Sequence, residues 1–449
     1  MRNSQNLIKL IYARHFTFLL LVILLITGGN SYSQDSTFQT IKRMIDSVSV
    51  DSLTKHIKIL ENAGGHTSRV TFTAGNDSAA EYIKRTFQSM PHLSSVKIDT
   101  FFITSASAPY NAKPLFNIEV TILGKINPNK IFILGAHYDD SGSRMGGSAW
   151  QSQWKTMKVP GADDNATGVA SLFEIARILS DPANGFNNAY TIKLVAFGAE
   201  ESGPAYPGSH YGSISYAKKC KLRGDLIDGM VSLDMIGYND NFNFQSIVSN
   251  SNSLFFAQKF YEANTMFGTG ITLNSSPVLS ATYSDHASFW DEGYKAILLI
   301  ENAPPWNSNN FYTANPFYHM SSDSFQTVNM ILVRKVAQWS LGSISAFASP
   351  LTNTDDESRL IANDYILNQN YPNPFNPVTI ISYQIPAANN VSLKIYDMLG
   401  KEIVSLINEE QTAGIYEVEF NGSGLSSGVY YFRLQSGEFN FVKKMLLLK

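Results

Sequence analysis

The side chains best placed to do chemistry in this chain stand where apolar runs stop. Leu194-Val195-Ala196-Phe197-Gly198-Ala199 ends in the adjacent carboxylates Glu200 and Glu201. In an extended chain neighbouring side chains point to opposite sides, so one carboxylate can hold a cation while the other faces a substrate or a water. Read alone, the pair is an acidic turn after a buried strand, because charges are seldom buried without partners. Partners exist elsewhere. Ile131 to Ala136 delivers His137, with Asp139 two residues on. Pro160-Gly161-Ala162 delivers Asp163-Asp164-Asn165 ahead of a helix expected from Thr167, where the helix dipole favours a carboxylate. Asp234 ends Val231-Ser232-Leu233, and His319 lies in the loop Phe317 to Asp323.

Each element alone is weak. A His-x-Asp is commonly a surface pair, Asp163-Asp164 can simply cap a helix, and Asp234 can be a satisfied buried acid. Their order along the chain changes the reading. Three carboxylates and two imidazoles on one edge of one sheet would repel or stay protonated without a cation, so a pair of metal ions is the economical explanation. Asp164, Glu201 and Asp234 bring three negative charges against the four of two Zn²⁺, and one hydroxide completes neutrality. Zinc accepts histidine and carboxylate ligands, and paired ions suit hydrolysis. Cys220 is the only cysteine, so neither an intrachain disulfide nor a thiolate zinc site is available.

The elements that must position these groups read as a mixed α/β domain. Helical spacing covers Gln39 to Val48, Ser52 to Ala63 and Ser78 to Met90, with Asp51 or Asp77 placed to cap. Strands are expected at Phe116 to Leu123, Lys130 to Gly135, Thr191 to Phe197, Met230 to Ile236 and Ala296 to Glu301. Helices are expected at Thr167 to Leu179, Ser209 to Lys219, Leu254 to Phe267 and Gln326 to Phe347. Such alternation implies a mixed, mainly parallel sheet flanked by helices, with ligands beyond the carboxyl ends of its strands. After the polar, acidic stretch from Ser349 the pattern becomes all-β. Val391 to Ile395 alternates strictly, and Tyr416 to Phe420 and Val429 to Leu434 follow between glycine-rich turns. A small β-sandwich is expected there.

With 449 residues, 44% hydrophobic and 12% aromatic, the chain can bury more than one core. A net charge of −3 argues against a nucleic-acid partner, which would call for a basic face. Arg2, Lys9 and Arg14 precede the apolar run Phe16 to Ile26, and Ser31 and Ser33 follow before Gln34. That is the pattern of a secretory signal peptide, since a membrane span needs about 20 apolar residues. The expected organisation is a signal peptide at 1–33, a catalytic domain at 34–348, a linker at 349–366 and a β-sandwich at 367–449. No integral membrane segment is expected once the signal is removed.

Six motifs together resemble a family. They are Gly135-Ala136-His137-Tyr138-Asp139, Gly161 to Gly168 around Asp163-Asp164-Asn165, Ala199-Glu200-Glu201, Leu233-Asp234-Met235, Ser284-Asp285-His286-Ala287-Ser288, and Tyr318-His319. They are similar to those of the secreted bacterial co-catalytic zinc aminopeptidases, the leucyl-aminopeptidase-like relatives of glutaminyl cyclases and glutamate carboxypeptidases. The resemblance spans about residues 66 to 346. It implies that Asp164 bridges two zincs, that His137 and Asp234 complete one ion, and that Glu201 and His319 complete the other. Glu200 would be the general base and acid, and Tyr318 would hydrogen-bond the tetrahedral intermediate. Asp139 would orient His137, while Asp285 and His286 would support the ligands from behind. Against the familiar Glu-Glu-x-Gly-x-x-Gly-Ser pattern, Glu200-Glu201 through Gly208-Ser209 carries extra residues, which alters the rim of the pocket. From Asn368 through Gly428-Val429-Tyr430-Tyr431 to Lys443-Lys444-Met445 the chain resembles the type A sorting domain of type IX secretion. That implies a partner in the type IX machinery and a product secreted or attached to the cell surface.

The expected reaction is hydrolysis of the N-terminal peptide bond of peptides or proteins with a free N-terminus. The rival enzyme is a single-zinc glutaminyl cyclase on the same fold. The rival from another class is a non-catalytic binding relative, which would be expected to have lost ligands; here none is missing.

Overall fold

The computed structural model describes residues 31–239, 242–303, 306–349, 365–367, 369–370, 373–412 and 414–449. Nearly all of the expected signal peptide (1–33) and linker (349–366) lies outside those residues. The chain divides into two units, residues 1–350 and 351–449.

The strands of the first unit are β1 (Ser95–Phe101), β2 (Leu115–Ile122), β3 (Asn127–His137), β4 (Tyr190–Phe197), β5 (Leu226–Leu233), β6 (Phe244–Ser249), β7 (Thr272–Leu273), β8 (Val278–Leu279) and β9 (Ala296–Ile300). They form one sheet in the order β1-β2-β4-β3-β5-β9-β6-β7, with β8 beside β6. The centre, β4-β3-β5-β9, is parallel. On its flanks β1, β2 and β6 pair antiparallel. The helices are α1 (Ser31–Asp46), α2 (Val50–Leu60), α3 (Ala74–Gln88), α4 (Gly147–Gln153), α5 (Thr167–Ser180), α6 (Tyr211–Arg223), α7 (Leu254–Phe267), α8 (His286–Asp291) and α9 (Met330–Ala348).

The central strands are apolar throughout because both of their faces are covered. Phe132, Leu134 and Ala136 join one core with α1, α2, α3, α5, α7 and α9, while Ile131 and Ile133 join a second with α6 and α8. The two-residue period of β3 thus divides its side chains between the two layers. Among the first core's residues, Trp339 of α9 is fully buried and its indole N–H donates to the Phe260 carbonyl of α7 at 2.8 Å.

Several boundaries differ from expectation for local reasons. Asp51 and Asp77 do not cap. The caps are Ser49 and Thr73, which accept from Ser52 N and Asn76 N, and both aspartates lie inside the first turn, where the dipole still favours them. The fifth strand ends at Leu233 rather than Ile236, because Met235 turns into a left-handed backbone (φ 52°). The closing helix starts at Met330 rather than Gln326. Residues Phe325–Thr327 form a 3₁₀ turn, and Asn329 caps the helix by accepting from Ile331 N and Leu332 N. Strands β1 and β6 were not foreseen.

The second unit holds two antiparallel sheets. One has β10 (Ile366–Leu367), β11 (Val378–Ile385) and β14 (Gly414–Asn421). The other has the order β13 (Glu402–Gln411), β12 (Asn389–Tyr396), β15 (Gly428–Ser436), β16 (Phe439–Leu447). Residues of both meet in one apolar core that includes Ile381, Tyr383, Leu393, Ile395, Phe420, Phe432 and Leu434. Ile366 and Leu367 pair with β11, so the end of the expected linker belongs to the sandwich.

Candidate metal centre

Because β4, β3, β5 and β9 run parallel, their carboxyl ends share one edge, and the chemistry gathers there. His137 is the last residue of β3, Glu200 and Glu201 follow β4, and Asp234 follows β5. Asp164 comes from the turn Ala162–Ala166 that leads into α5. Two features hold it against β5. Asn165 Nδ2 donates to the Leu233 carbonyl at 2.8 Å. Gly168 lets α5 approach so closely that a Cβ there would stand 2.6 Å from the same carbonyl oxygen. Asp323 fixes the turn from below, accepting Asp163 N and Asp164 N on its two oxygens at 2.9 and 3.1 Å.

Asp164 divides its oxygens. Oδ1 lies 3.2 Å from His137 Nε2, which is itself 3.2 Å from Asp234 Oδ1. Oδ2 lies 3.1 Å from His319 Nε2, which is 2.6 Å from Glu201 Oε1. Three three-donor groups result: His137–Asp164–Asp234 and Asp164–Glu201–His319, which share Asp164, and His137–Glu200–Glu201. For a tetrahedral zinc with bonds near 2.0–2.1 Å, neighbouring donors stand roughly 3.3 Å apart, and His137 already has that spacing to both Asp164 and Asp234. The donors are nitrogen and carboxylate oxygen, the set zinc accepts. The residues therefore fit a metal pair.

Electrostatics agree with that fit. Burial opposes charge on His137, but Asp234, Glu200 and Asp164 outweigh it and hold its pKa well above the usual histidine value. His319 is treated likewise by Glu201 and Asp164 and is raised to about 10. Burial works against the Asp164 carboxylate too, yet the two imidazoles hold its pKa below the usual carboxylate range. A cluster that draws protons onto two buried histidines is one that a divalent cation would satisfy better.

The other expected residues take distinct places. Asp139 does not reach the His137 ring with its side chain, since its Oδ1 is 3.9 Å from Nδ1 while its backbone carbonyl is 3.2 Å away. Its carboxylate instead accepts Glu200 N and Glu201 N at 3.0 and 3.1 Å, and Thr71 Oγ1 at 3.0 Å. Asp139 therefore clamps the Glu200–Glu201 backbone. Asp163 points away, accepting Gly237 N at 2.6 Å, and burial together with Asp323 raises it to about 8. His286 is buried and its Nε2 faces the Ala281 carbonyl at 2.9 Å; burial lowers it to about 4, so it is a neutral packing group. Asp285 is buried, and burial followed by the Glu200 charge raises it to about 7. Tyr318 lies against His319, with ring centres 3.8 Å apart and ring planes tilted by 31°. With Met235 and Trp306 it lines both the cleft over the metal donors, about 180 Å³, and a neighbouring cavity of about 400 Å³ that contains Arg144, Glu301 and Asn315.

Four contributors were not foreseen. Buried Arg69 donates to the carbonyls of Leu60, Tyr138, Pro160 and Gly161, tying the loops after β3 and before α5 together. Asp323 anchors Asp164, Ser143 Oγ lies 2.7 Å from His319 Nδ1, and His210 Nε2 lies 2.9 Å from Glu200 Oε1. The glycine–serine pair packed beside β4 is Gly212–Ser213 rather than Gly208–Ser209. A Cβ on Gly212 would stand 2.2 Å from the Gly198 carbonyl oxygen, whereas one on Gly208 would meet only the Tyr211 ring at 3.4 Å or more.

Residues 117–343 match the family model described as Peptidase family M28. The chain belongs to peptidase family M28. It is thereby a hydrolase of the metallo-exopeptidase class, and its α/β sheet with flanking helices is the zinc exopeptidase fold. Residues 369–448 match the model of the Secretion system C-terminal sorting domain. Among relatives, an Escherichia coli protein named "Uncharacterized protein YfbL" is 28% identical over 284 residues, 58% of this chain and 76% of that one. The LapA aminopeptidase of Legionella pneumophila aligns with a TM-score of 0.53 at 18% identity, over 70% of this chain and 75% of that one. A glutaminyl cyclase of Porphyromonas gingivalis aligns with a TM-score of 0.54 at 20% identity, over 67% and 99%. At those identities the two structures speak for the fold alone. Fungal relatives named zinc metalloprotease or leucine aminopeptidase also match, and this chain spans 39–57% of their length. No helix among the described residues is long and apolar enough to cross a membrane.

Proposed function

We propose that this M28 member is an exported aminopeptidase that removes N-terminal residues from peptides or proteins, using two zinc ions and Glu200. The observation that carries the reading is the division of Asp164, one oxygen toward His137 and Asp234 and the other toward His319 and Glu201. In this reading those five residues hold the ions. When bound, the pair would polarise the scissile carbonyl and acidify a water. The chain's own groups do the rest. Glu200, set beside Glu201 by the Asp139 clamp, takes the water's proton and returns it to the leaving amine. The surrounding acids attract the substrate's α-ammonium group, which favours attack at the first peptide bond. Tyr318, lining the cleft beside His319, is the candidate donor to the developing oxyanion. The division into signal peptide, catalytic domain, linker and sorting sandwich, with export through the type IX machinery to the medium or cell surface, belongs to the same proposal.

The test separates the adjacent glutamates. Glu200→Ala should keep its zinc while kcat falls about 10²–10⁴-fold. Glu201→Ala should lose zinc on dialysis, because one of three protein donors to that ion is gone. Zinc content and kcat for both variants decide the matter; metal loss in Glu200→Ala with Glu201→Ala intact in both respects would reverse the roles. Coverage of 99% of the Porphyromonas gingivalis cyclase keeps a single-zinc cyclase as the second reading. One tightly bound ion per chain, with N-terminal glutamine peptides cyclised and no free amino acid released, would put it first.

A further inference from the structure

The candidate proton carrier has a partner supplied by its own loop. His210 Nε2 lies 2.9 Å from Glu200 Oε1, and both side chains line the cleft over the metal donors. His210 belongs to none of the donor groups. Its placement is built into the backbone. His210 N donates to the Glu200 carbonyl at 2.7 Å and Tyr211 N to the Ala199 carbonyl at 2.9 Å, so the loop closes back onto the residue it serves. Within the loop, Tyr206 Oη donates to the Glu201 carbonyl at 2.7 Å. Helix α6 starts immediately afterwards, with Ile214 N donating to the His210 carbonyl at 2.9 Å, and Gly212 seats that helix against Gly198. His210 itself has a left-handed backbone, φ 61°, which is uncommon outside glycine and is held here by contacts on both sides.

We infer that His210 is a positioning residue for peptide hydrolysis: its Nε2–H donates to Glu200 Oε1 and leaves Oε2 of the same carboxylate to face the reacting water. The inference rests on the reading of Glu200 as proton carrier. The step is hydrolytic and changes no oxidation state. The water oxygen forms its bond to the carbonyl carbon as its proton passes to Glu200 Oε2, and that proton goes on to the nitrogen of the leaving amine as the C–N bond breaks, while the Nε2–H···Oε1 bond persists. Charge-assisted hydrogen bonds of this kind are short and directional, so the imidazole fixes the carboxylate's rotation. Glu200 lies close enough to His137 and Glu201 to form a donor group with them, and the bond from His210 engages one of its two oxygens.

The test compares His210→Asn, His210→Gln and Glu200→Gln in the full chain, measuring kcat, KM, zinc per chain and thermal midpoint. Asparagine tolerates the left-handed backbone, so folding is kept, but its amide is too short to reach Glu200. A glutamine amide can occupy the place of Nε2. His210→Asn should lower kcat about 10- to 100-fold with KM, zinc content and thermal midpoint unchanged, and His210→Gln should return kcat to within a few-fold of the parent. Full kcat in His210→Asn overturns the inference. So does a loss accompanied by loss of zinc, or a His210→Gln variant as slow as His210→Asn. If Glu200→Gln keeps the parental rate, the role of Glu200 falls and this inference with it; if Glu200→Gln is slow and His210→Asn is not, only the inference falls.

Discussion

In the first unit the carboxylates of Asp139, Asp164, Glu200, Glu201, Asp234 and Asp285 are all less than a tenth exposed, whereas the buried polar residues described in the C-terminal unit are Asn370, Thr379 and Ser436, none of them charged. Burying an ionised group costs several kcal/mol unless a partner or a proton offsets it. The first unit meets that cost with imidazoles, backbone N–H groups and Arg69, and by letting Asp163 and Asp285 hold protons near neutral pH. Among its described residues the sandwich has no such cost, and it rests on apolar packing between its two sheets. One unit is built around something it must bind. The other is built to hold itself.

Metal removal should give the largest effect and should touch one unit only. Chelation is expected to abolish hydrolysis and to lower the unfolding midpoint of the first unit. A ligand present at a thousandfold over its Kd contributes about 4 kcal/mol to the state that binds it. Calorimetry of the full chain with and without chelator, followed by zinc restoration, checks this. A shift of both transitions, or of neither, breaks the contrast between the units.

The converse perturbation comes next. Phe432 is fully buried between the sheets of the sandwich. Phe432→Ala should destabilise that unit by about 3–5 kcal/mol, while kcat/KM and zinc content stay at parental values. Lost hydrolysis in a variant whose first unit still melts normally would show that the sandwich contributes to the site.

Sequence and structure agree where the physics is local. The central strands were legible because a strand covered on both faces is apolar at every position, as in Ile131 to Ala136 and Leu194 to Phe197. The gathering of His137, Asp164, Glu201 and Asp234 was legible because each stands at the end of an apolar run or in a glycine-rich turn, whereas His319 lies in a loop with neither signal and was singled out by the family resemblance alone. Edge strand β1 was not, because its exposed positions break the apolar run. The caps at Ser49 and Thr73 lost to more conspicuous aspartates nearby. Two Gly-Ser pairs lie close together at 208–209 and 212–213, and only packing against Gly198 tells them apart. Arg69 and His210 carry no motif. One acts through four carbonyls from three separate segments and the other through a loop that closes on itself, and neither contact leaves a periodic trace.

The smallest expected effect sharpens the contrast through pH. His56 of α2 lies against Phe173 with its Nδ1 2.6 Å from Tyr82 Oη, so the neutral ring accepts from the phenol. Burial, then the Lys55 charge, lower its pKa from 6.5 to about 4 against the opposing pull of Glu174. The unfolded chain therefore binds a proton below pH 6.5 that the folded chain refuses until about pH 4. Stability linked to His56 is fully present above 6.5 and is lost as pH falls through that window. The loss is at most about 3 kcal/mol, and less to the degree that solvent reaches the ring. Buried acids with raised pKa values, such as Asp139, Asp163 and Asp285, act in the opposite sense, and Asp164, held low, acts in the same one, so the measurement is a difference. His56→Gln keeps an acceptor for Tyr82 and does not titrate. Relative to parent, it should gain stability as pH falls from 6.5 to 4 and show no further change below, in the first unit's transition alone, read by thermal unfolding at stepped pH. A constant difference across that range would mean that the ring is not held neutral in the folded protein.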